Sequence, residues 1–385
     1  MKIMHISDLH IGKSLRGFDL IEDQKYILNQ IVEMTEEESV DAILIAGDVY
    51  DKSIPSEAAT NLLDSFLSQL SEKKKSVYMI SGNHDSEYRL NYGKSFFEKN
   101  NVYISAVYNG KIEKYVINDD DVEVNIYLLP FVKASQVKHF FPDSKIETYE
   151  DAVRVTIENT DIDETKKNIL VAHQYVIGDS IDPIMGGSES MGTQYVGTVE
   201  RIGYDVFDKF DYVALGHIHS SQGIGRDEVR YAGTPLKYSL KEIDNEKSVT
   251  LITIDDNPGV KIEMVPLKPI RDMRHIKGEL EDLLKESNVH DVNDYIYVTI
   301  TNEEIIDDAM GIFQQIYPNT VEINYENSHT QEVEQVDISQ ISTERPFNEL
   351  IEDFYKTIYG CDISKEEMDV MEEVAREAGV INEAN

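Results

Sequence analysis

The sequence predicts an α/β fold, because strand-like and helix-like segments alternate through its first third. Short apolar runs rich in Ile and Val occupy residues 2–7, 42–47 and 77–81. Longer helix-like stretches separate these runs, over residues 20–38 and 56–71. Strands that alternate with helices pair in parallel within a layered α/β architecture. The sequence therefore predicts a parallel sheet covered by helices.

Further strand-like runs indicate that the later part of the chain adds more sheet. They lie at 112–117, 123–129, 168–173, 211–216, 229–232, 248–254 and 260–265. The pattern changes near Pro266–Arg271, where we predict a domain boundary. The first predicted domain therefore covers residues 1–268.

Beyond this boundary we predict a small α+β domain over residues 269–326. Its predicted elements are a helix, a strand, a second helix and a second strand, at about 276–286, 295–301, 303–315 and 320–325. A polar and acidic linker follows over 327–345.

Two amphipathic helices are predicted in the last segment, residues 346–385. Apolar side chains recur there at helical spacing, on one stripe for each helix. The residues predicted to contact a partner are Phe347, Leu350, Ile351, Phe354, Met368 and Met371. Such a pair either folds back on its own domain or binds another protein, and the pattern alone favours the first.

Composition and charge indicate a cytoplasmic protein with an acidic surface. The 385 residues contain a single cysteine, which excludes an internal disulfide. We find no signal peptide and no apolar run of the roughly 20 residues that span a bilayer. The net charge of −37 is a poor match for DNA phosphates. Acidic residues outnumber basic ones most strongly after Arg271, which favours a protein-binding surface and a solvated acidic face about equally.

Five short motifs carry the chemistry of the chain, and each follows a predicted strand. Their side chains are Asp8, His10, Asp48, Asn83, His84, Asp85, His173, His217 and His219. A single Asp at a strand end usually caps a turn, and a single His is usually a hydrogen-bonded core residue. The joint pattern favours a site, because the carboxyl ends of parallel strands meet at one edge of a sheet. Carboxylate, imidazole and amide ligands together suit two divalent ions such as Mn²⁺ or Fe²⁺, with Zn²⁺ as a further alternative.

Three cations lie within a few positions of these motifs and are candidate DNA contacts: Lys13, Arg16 and Arg89. Their other interpretation, as ordinary surface charges, has equal weight. The glycine-rich stretch 186–192 is predicted to be a loop near the substrate, with a plain connection as the alternative.

The order D-x-H, G-D, G-N-H-D, H and G-H-x-H resembles that of the calcineurin-like metallophosphoesterases over about residues 1–235. A closer resemblance is to one branch of that family, the nuclease subunits of bacterial complexes that contain an SbcC-type coiled-coil ATPase. The phrases that carry it are ISDLHIGK from Ile6, GDVYD from Gly47, GNHDSEYRL from Gly82, GTPLKYS from Gly233 and PLKPIR from Pro266. A weaker likeness continues into the final helices.

The resemblance implies how the site residues divide. One metal ion would be held by Asp8, His10, Asp48 and His219, and the second by Asp48, Asn83, His173 and His217. Asp48 would bridge the two ions. His84 would lie beside the scissile phosphate as a catalytic residue, and Asp85 would orient His84 through a hydrogen bond.

The resemblance also implies a fold and a function. The fold would be a two-sheet sandwich flanked by helices, with a small α+β capping domain and a C-terminal helical pair. The activity would be Mn²⁺-dependent cleavage of DNA, as an exonuclease on duplex ends and an endonuclease on hairpins or blocked ends. The partner would be an SbcC-type ATPase that the helical pair clamps, and the nuclease would be a homodimer associated with the nucleoid. Two alternatives stay open, a small-molecule or protein phosphoesterase and a scaffold without catalysis.

Overall fold

The apolar runs at the start of the chain form the centre of a six-stranded sheet. The computed structural model describes residues 1–118, 122–179, 181–189, 201–255, 259–328, 347–359 and 363–377. In this first sheet four strands are parallel: β1 (Lys2–Ile6), β4 (Ala42–Ala46), β5 (Ser76–Ile80) and β6 (Val102–Ser105). Two later strands complete it in antiparallel pairing beside β1, β15 (Ser248–Thr253) and then β16 (Lys261–Pro266).

A second six-stranded sheet is formed by the middle of the chain. Its strands in spatial order are β13 (Gln222–Ile224), β14 (Arg226–Tyr231), β12 (Tyr212–Gly216), β9 (Lys167–His173), β8 (Glu123–Leu129) and β7 (Glu113–Asn118). The four central strands are parallel, and the two edge strands are antiparallel to their neighbours. Two short pairs lie outside the sheets: β2 (Ser14–Leu15) with β3 (Phe18–Asp19), and β10 (Val176–Ile177) with β11 (Ile202–Gly203).

The two sheets pack face to face around a shared apolar core. Ile3 and Leu44 of the first sheet belong to the same buried cluster as Ile126, Ile169 and Ala214 of the second. Successive side chains of a strand point to opposite faces, so the alternate residues of these strands face helices. The sandwich brings the carboxyl ends of parallel strands from both sheets to one edge.

Helices flank the sandwich. The longest are α1 (Ile21–Glu37) and α2 (Glu57–Glu72), each with one buried apolar face, and Ser56 caps α2 by accepting the Ala59 N–H. The short α3 (Glu87–Leu90) and α4 (Lys94–Phe97) follow β5. On the outer face of the second sheet lie α5 (Ala134–Phe140) and α6 (Tyr149–Glu158), whose apolar residues share a cluster with Leu170 and Val213.

The chain divides into two compact units, Met1–Arg274 and His275–Asn385. The second unit is built on a three-stranded sheet in the order β17 (Met273–Gly278), β18 (Tyr295–Ile300) and β19 (Thr320–Tyr325), with β18 and β19 parallel. The helices α7 (Leu280–Leu283) and α8 (Ala309–Gln314) accompany it. The predicted division at 268, 326 and 345 stays a prediction.

Two predicted helices of this unit were wrong in extent. Residues 273–278 form a strand and only 280–283 are helical, where a helix over 276–286 was predicted. Ile276, Leu280 and Leu283 pack against the core of this unit. Their spacing is also that of one helix face, so the sequence pattern did not distinguish a continuous helix from a strand followed by a short helix. The second helix starts at Ala309 instead of 303, because Asp308 caps it by accepting the Gly311 N–H.

The predicted C-terminal helices are present as α9 (Phe347–Tyr359) and α10 (Lys365–Glu377). Asn348 donates to Glu372 at 2.7 Å and Tyr355 to Glu367 at 2.6 Å, so the two helices lie side by side. Most of the predicted linker and the side chains of Phe347 and Phe354 lie outside the described residues. The other predicted partner contacts, Leu350, Ile351, Met368 and Met371, are half-buried. Within the ranges given above, no helix is long and apolar enough to cross a membrane.

Candidate metal centre

The predicted site residues meet where the carboxyl ends of the two sheets come together. Asp8 follows β1, Asp48 follows β4, and His217 follows β12, while His173 ends β9. The backbone N–H of His217 donates to the Asp8 carboxylate at 3.0 and 3.1 Å, which joins the two sheets. His173 makes a second connection, from its Nδ1 to the carbonyl oxygen of Ala46 at 2.8 Å.

One set of side chains, which we call the His219 group, contains Asp8, His10 and His219. A ligand atom from each lies within 4.8 Å of the others. The Nε2 atoms of His10 and His219 face each other at 3.1 Å. All three residues are buried.

A second set, the His173 group, contains Asn83, His173 and His217. The Oδ1 atom of Asn83 lies 3.0 Å from Nε2 of His173 and 3.0 Å from Nδ1 of His217. Asp48 lies between the groups, with its Oδ2 atom 3.4 Å from Nε2 of His173 and 3.8 Å from Nε2 of His10. Asp8 also lies within 4.8 Å of Asp48 and His173. The structure thus brings the predicted ligands together around Asp48, and their division between two ions stays a prediction.

The donor atoms fit divalent metal ions. Nδ1 of His173 donates to Ala46, which leaves Nε2 toward the acceptor oxygen of Asn83. This pair is satisfied by a proton on Nε2, and a divalent ion that bound both atoms would displace that proton. Nitrogen and oxygen ligands of this mixture are those of Mn²⁺, Fe²⁺ and Zn²⁺ sites. The residues present therefore fit a divalent ion in each group.

The backbone is strained at four of these positions. The φ angles of Asp8, His10, Asp48 and His217 are 51°, 43°, 47° and 101°. A left-handed conformation costs a residue with a side chain about 1–2 kcal/mol. Strain of this kind collects at functional sites, where the surrounding structure enforces it. The folded chain thus holds these side chains in place at the expense of stability.

Burial and neighbouring charges shift the pKa values of the site in opposite directions. Burial raises the pKa of Asp8 to about 6. Burial also raises the pKa of Asp48, but the charges of nearby histidines, above all His173, outweigh it and lower that pKa far below its usual range. Burial lowers the pKa of His10 well below its usual value and that of His217 to about 3. Burial lowers the pKa of His173 as well, but the charges of Asp48 and Asp8 outweigh it and raise that pKa to about 9.

The comparisons with known proteins agree with this geometry. A family model described as calcineurin-like phosphoesterase matches residues 1–221. A relative from Staphylococcus epidermidis (strain ATCC 12228 / FDA PCI 1200), named as the D subunit of the nuclease SbcCD, is 37% identical over 377 residues, which is 96% of each chain. The chain belongs to the SbcD family of calcineurin-like phosphoesterases. The predicted fold class and the enzyme class, a metal-dependent phosphoesterase, are confirmed for this SbcD family member.

Two further matches are weaker or shorter. A second family model, SbcD_C, described as the type 5 capsule protein repressor C-terminal domain, matches residues 269–359. A solved dimetal phosphatase from Danio rerio aligns with a TM-score of 0.38 and 12% identity, over 69% of this chain and 96% of that one. Membership of the SbcD family therefore rests on the sequence matches.

His84 and Asp85 lie at the centre, but the hydrogen bond predicted between them is wrong. Nδ1 of His84 instead donates to the carbonyl oxygen of Asp51 at 2.9 Å, and its Nε2 lies 4.0 Å from Oδ2 of Asp48. Asp85 accepts the backbone N–H groups of Val49, Tyr50 and Gly82 at 3.1, 2.9 and 2.9 Å. A carboxylate with three such donors ties two loops together. Asp85 therefore holds the backbone of the site, and Asp51 orients His84.

The three predicted DNA contacts differ in their surroundings. Lys13 pairs with Asp51, Nζ to Oδ1 at 2.9 Å, and its Nζ also lies 5.4 Å from the centre of the Tyr238 ring. Arg16 and Arg89 are exposed. Their role in DNA binding stays a prediction, and Lys13 is a side chain of the site itself.

Several residues around the centre were missed by the sequence analysis. Gln24 donates to the His10 carbonyl oxygen at 2.7 Å and to the Tyr238 hydroxyl at 3.0 Å. Ser188 and Glu242 lie behind His219, on the side of the ring away from the centre. Burial raises the pKa of Glu242, but His219 and Lys247 outweigh it and lower that pKa to about 2. The glycine-rich stretch was the one signal for Ser188, and Glu242 had none.

Proposed function

We propose that this SbcD family member is a two-metal DNA nuclease that acts on DNA ends. The observation that carries the proposal is the arrangement of the His219 and His173 groups on either side of Asp48. A shared carboxylate is what holds two ions about 3.5–4 Å apart in hydrolases of phosphate esters. The name of the staphylococcal relative supports a nucleic acid substrate.

Each side chain of the centre has a role in this proposal. The His219 group with Asp48 would hold one ion, and the His173 group with Asp48 the second. Mn²⁺ is the ion we propose first, with Fe²⁺ as the alternative. When bound, the two ions supply an activated water at neutral pH and neutralise charge on the phosphate oxygens.

His84 is the side chain of the centre best placed to meet the substrate. It is half-buried, whereas Asp8, His10 and His173 are fully buried. The bond from its Nδ1 to Asp51 fixes the ring and leaves Nε2 toward the centre. Because Nδ1 donates to Asp51, Nε2 carries a proton only in the imidazolium form, and to that form we assign the stabilisation of charge on the phosphate or protonation of the leaving oxygen.

The proposed substrates are duplex ends, for exonuclease action, and hairpins or blocked ends, for endonuclease action. An SbcC-type coiled-coil ATPase is the proposed partner, with α9 and α10 as the segment that binds it. Such a partner would supply the positive surface that a chain of net charge −37 lacks. We further propose a homodimer associated with the nucleoid, with a role in DNA repair, recombination and replication.

The test of nuclease activity is Mn²⁺-dependent digestion of an end-labelled linear duplex by the purified chain. Cleavage should be lost with EDTA and in Asp48→Ala. Turnover of a small phosphodiester, with no cleavage of duplex or hairpin DNA even with the ATPase present, would favour a small-molecule phosphoesterase instead.

The test of the partner site uses two apolar side chains that α10 exposes, Val370 and Val374, at 58% and 57% exposure. Replacing both with Glu should abolish co-purification with the ATPase, because charge is excluded from an apolar helix interface. Lys365→Glu, an exposed change on the same helix, is the matched control. Full co-purification of the double variant would place the partner site elsewhere.

A further inference from the structure

His219 is supported from behind by a chain of polar side chains that the proposed mechanism does not use. Its Nδ1 lies 2.7 Å from Oγ of Ser188, on the opposite side of the ring from the Nε2 that faces His10. Ser188 in turn donates to Oε1 of Glu242 at 2.9 Å. The side chains of His219 and Glu242 are 1% and 0% exposed, so both ends of this chain are shielded from water.

The direction of the hydrogen bonds follows from the donors that are available. An ionised carboxylate only accepts, so the single hydroxyl proton of Ser188 points toward Glu242. The Ser188 oxygen then accepts a hydrogen bond from His219, which requires the imidazole proton to be on Nδ1. The lone pair is left on Nε2, the atom that faces the centre.

Lys247 supplies the charge that keeps Glu242 ionised. Its Nζ lies 2.6 Å from Oε2 of Glu242, 2.7 Å from Oγ1 of Thr234 and 3.0 Å from the carbonyl oxygen of His219. All three donors of the ammonium group therefore have acceptors. A buried ion pair persists when it is fully hydrogen-bonded in this way.

We propose that Ser188 and Glu242 are positioning residues, which fix His219 in the tautomer that binds a divalent ion through Nε2. This inference rests on the two-metal centre proposed above and adds to it the residues that prepare one of its ligands. Outer partners of metal-bound histidines change metal affinity about 10- to 100-fold when they are removed. A purely structural role would hold the loop at 186–189 without affecting the tautomer.

The first test measures Mn²⁺ binding to the full chain by isothermal titration calorimetry. Ser188→Ala should weaken binding about tenfold, and Ser188→Thr should restore it because the hydroxyl is kept. Ser239→Ala is the matched control, because Ser239 holds the same loop through the Gly186 carbonyl oxygen at 2.6 Å. Equal weakening in Ser188→Ala and Ser239→Ala would overturn the proposal.

A second variant, Glu242→Gln, should reverse the chain of hydrogen bonds. Lys247 needs an acceptor, so the Gln oxygen would face Lys247 and its NH₂ group would face Ser188. Ser188 would then donate to Nδ1 of His219 and move the imidazole proton to Nε2. We expect roughly 100-fold weaker Mn²⁺ binding. In the double variant Ser188→Ala/Glu242→Gln, the hydroxyl group that would donate to Nδ1 of His219 is missing. The double variant should therefore bind Mn²⁺ more tightly than Glu242→Gln alone.

The tautomer itself can be measured in the metal-free chain by ¹⁵N-histidine NMR. His219 should carry its proton on Nδ1 in the wild type and on Nε2 in Glu242→Gln. A proton on Nε2 in the wild type would overturn the positioning role whatever the chain binds. Failure of the wild type to bind Mn²⁺ would overturn the metal centre and this inference together. Wild-type binding with no effect of Ser188→Ala would overturn the inference alone.

Discussion

The two halves of the centre present equivalent histidines that are held by different parts of the chain. In the His173 group the ring is held by main chain, since Nδ1 of His173 donates to the Ala46 carbonyl oxygen. Gly47 and Gly216 allow that approach, because a Cβ on either would overlap the ring. In the His219 group the ring is held by a side chain, Ser188.

This difference predicts which substitutions each half of the centre tolerates. A main-chain contact survives most side-chain substitutions and fails only when the backbone is displaced. A side-chain contact is lost with one hydroxyl group. We therefore expect the His173 group to depend on glycines and the His219 group on polar residues far apart in sequence.

The largest effect is expected from the loss of Asp48, the residue that the two halves share. Asp48→Ala deletes the carboxylate between the groups, so cleavage of duplex DNA should fall about 1000-fold or more in kcat/KM. Asp64→Ala, an exposed change on α2, is the control and should stay within about twofold of the wild type. Retention of more than about a tenth of the activity by Asp48→Ala would contradict the shared-ligand arrangement.

The next largest effect is expected in the His173 group, whose histidine is held by main chain. A Cβ at Gly216 would overlap the Ala46 carbonyl oxygen and Nδ1 of His173, so Gly216→Ala should destabilise the fold by about 3 kcal/mol. Urea unfolding of the metal-free chain measures this. In Gly278→Ala the nearest atom lies at 3.4 Å, and the change should be within about 0.5 kcal/mol. Equal stability of the two variants would show that the close approach is not needed.

A smaller effect concerns the loops between the halves. Asp85→Asn should lower the free energy of unfolding by about 2 kcal/mol, because an amide oxygen replaces a carboxylate that accepts three backbone N–H groups. His84 keeps its bond to Asp51, so activity should fall less than in His84→Ala. A loss of activity equal to that of His84→Ala, with stability unchanged, would instead support the orienting role first predicted for Asp85.

The last prediction is a pH dependence, which sharpens the comparison without changing any residue. The pKa of His173 is raised to about 9 in the metal-free chain, so a metal ion must displace a proton from its ring. Mn²⁺ affinity should therefore rise with pH by up to about tenfold per unit and level off above pH ~9.

Calorimetry in two buffers of different ionisation enthalpy should show about one proton released for each chain that binds Mn²⁺. His290→Gln, a change of an exposed histidine, should leave this release unaltered. An affinity independent of pH between about 6 and 9 would show that His173 is neutral before the metal ion binds.

The sequence allowed prediction of the strands and of the residues that follow them, because both are local patterns. Apolar runs end at Ala46 and Gly216, and the polar residues come next. The bond from His84 to Asp51 and the chain from His219 to Lys247 were not predictable, because they join residues that only the folded chain brings together. The left-handed backbone conformation of Asp8 was also not predictable, because an aspartate in a sequence does not indicate a positive φ angle.

The strained backbone at Asp8, His10, Asp48 and His217 has a kinetic consequence. Left-handed backbone at residues with side chains is enforced by the packing around it, so we expect folding, and not the ion, to set these four residues in place. A chain stripped by a chelator and then given Mn²⁺ should regain activity in a single phase whose rate rises with the Mn²⁺ concentration. In the cell, the activity of such an enzyme would follow the concentration of available metal ions and would not wait for the chain to refold.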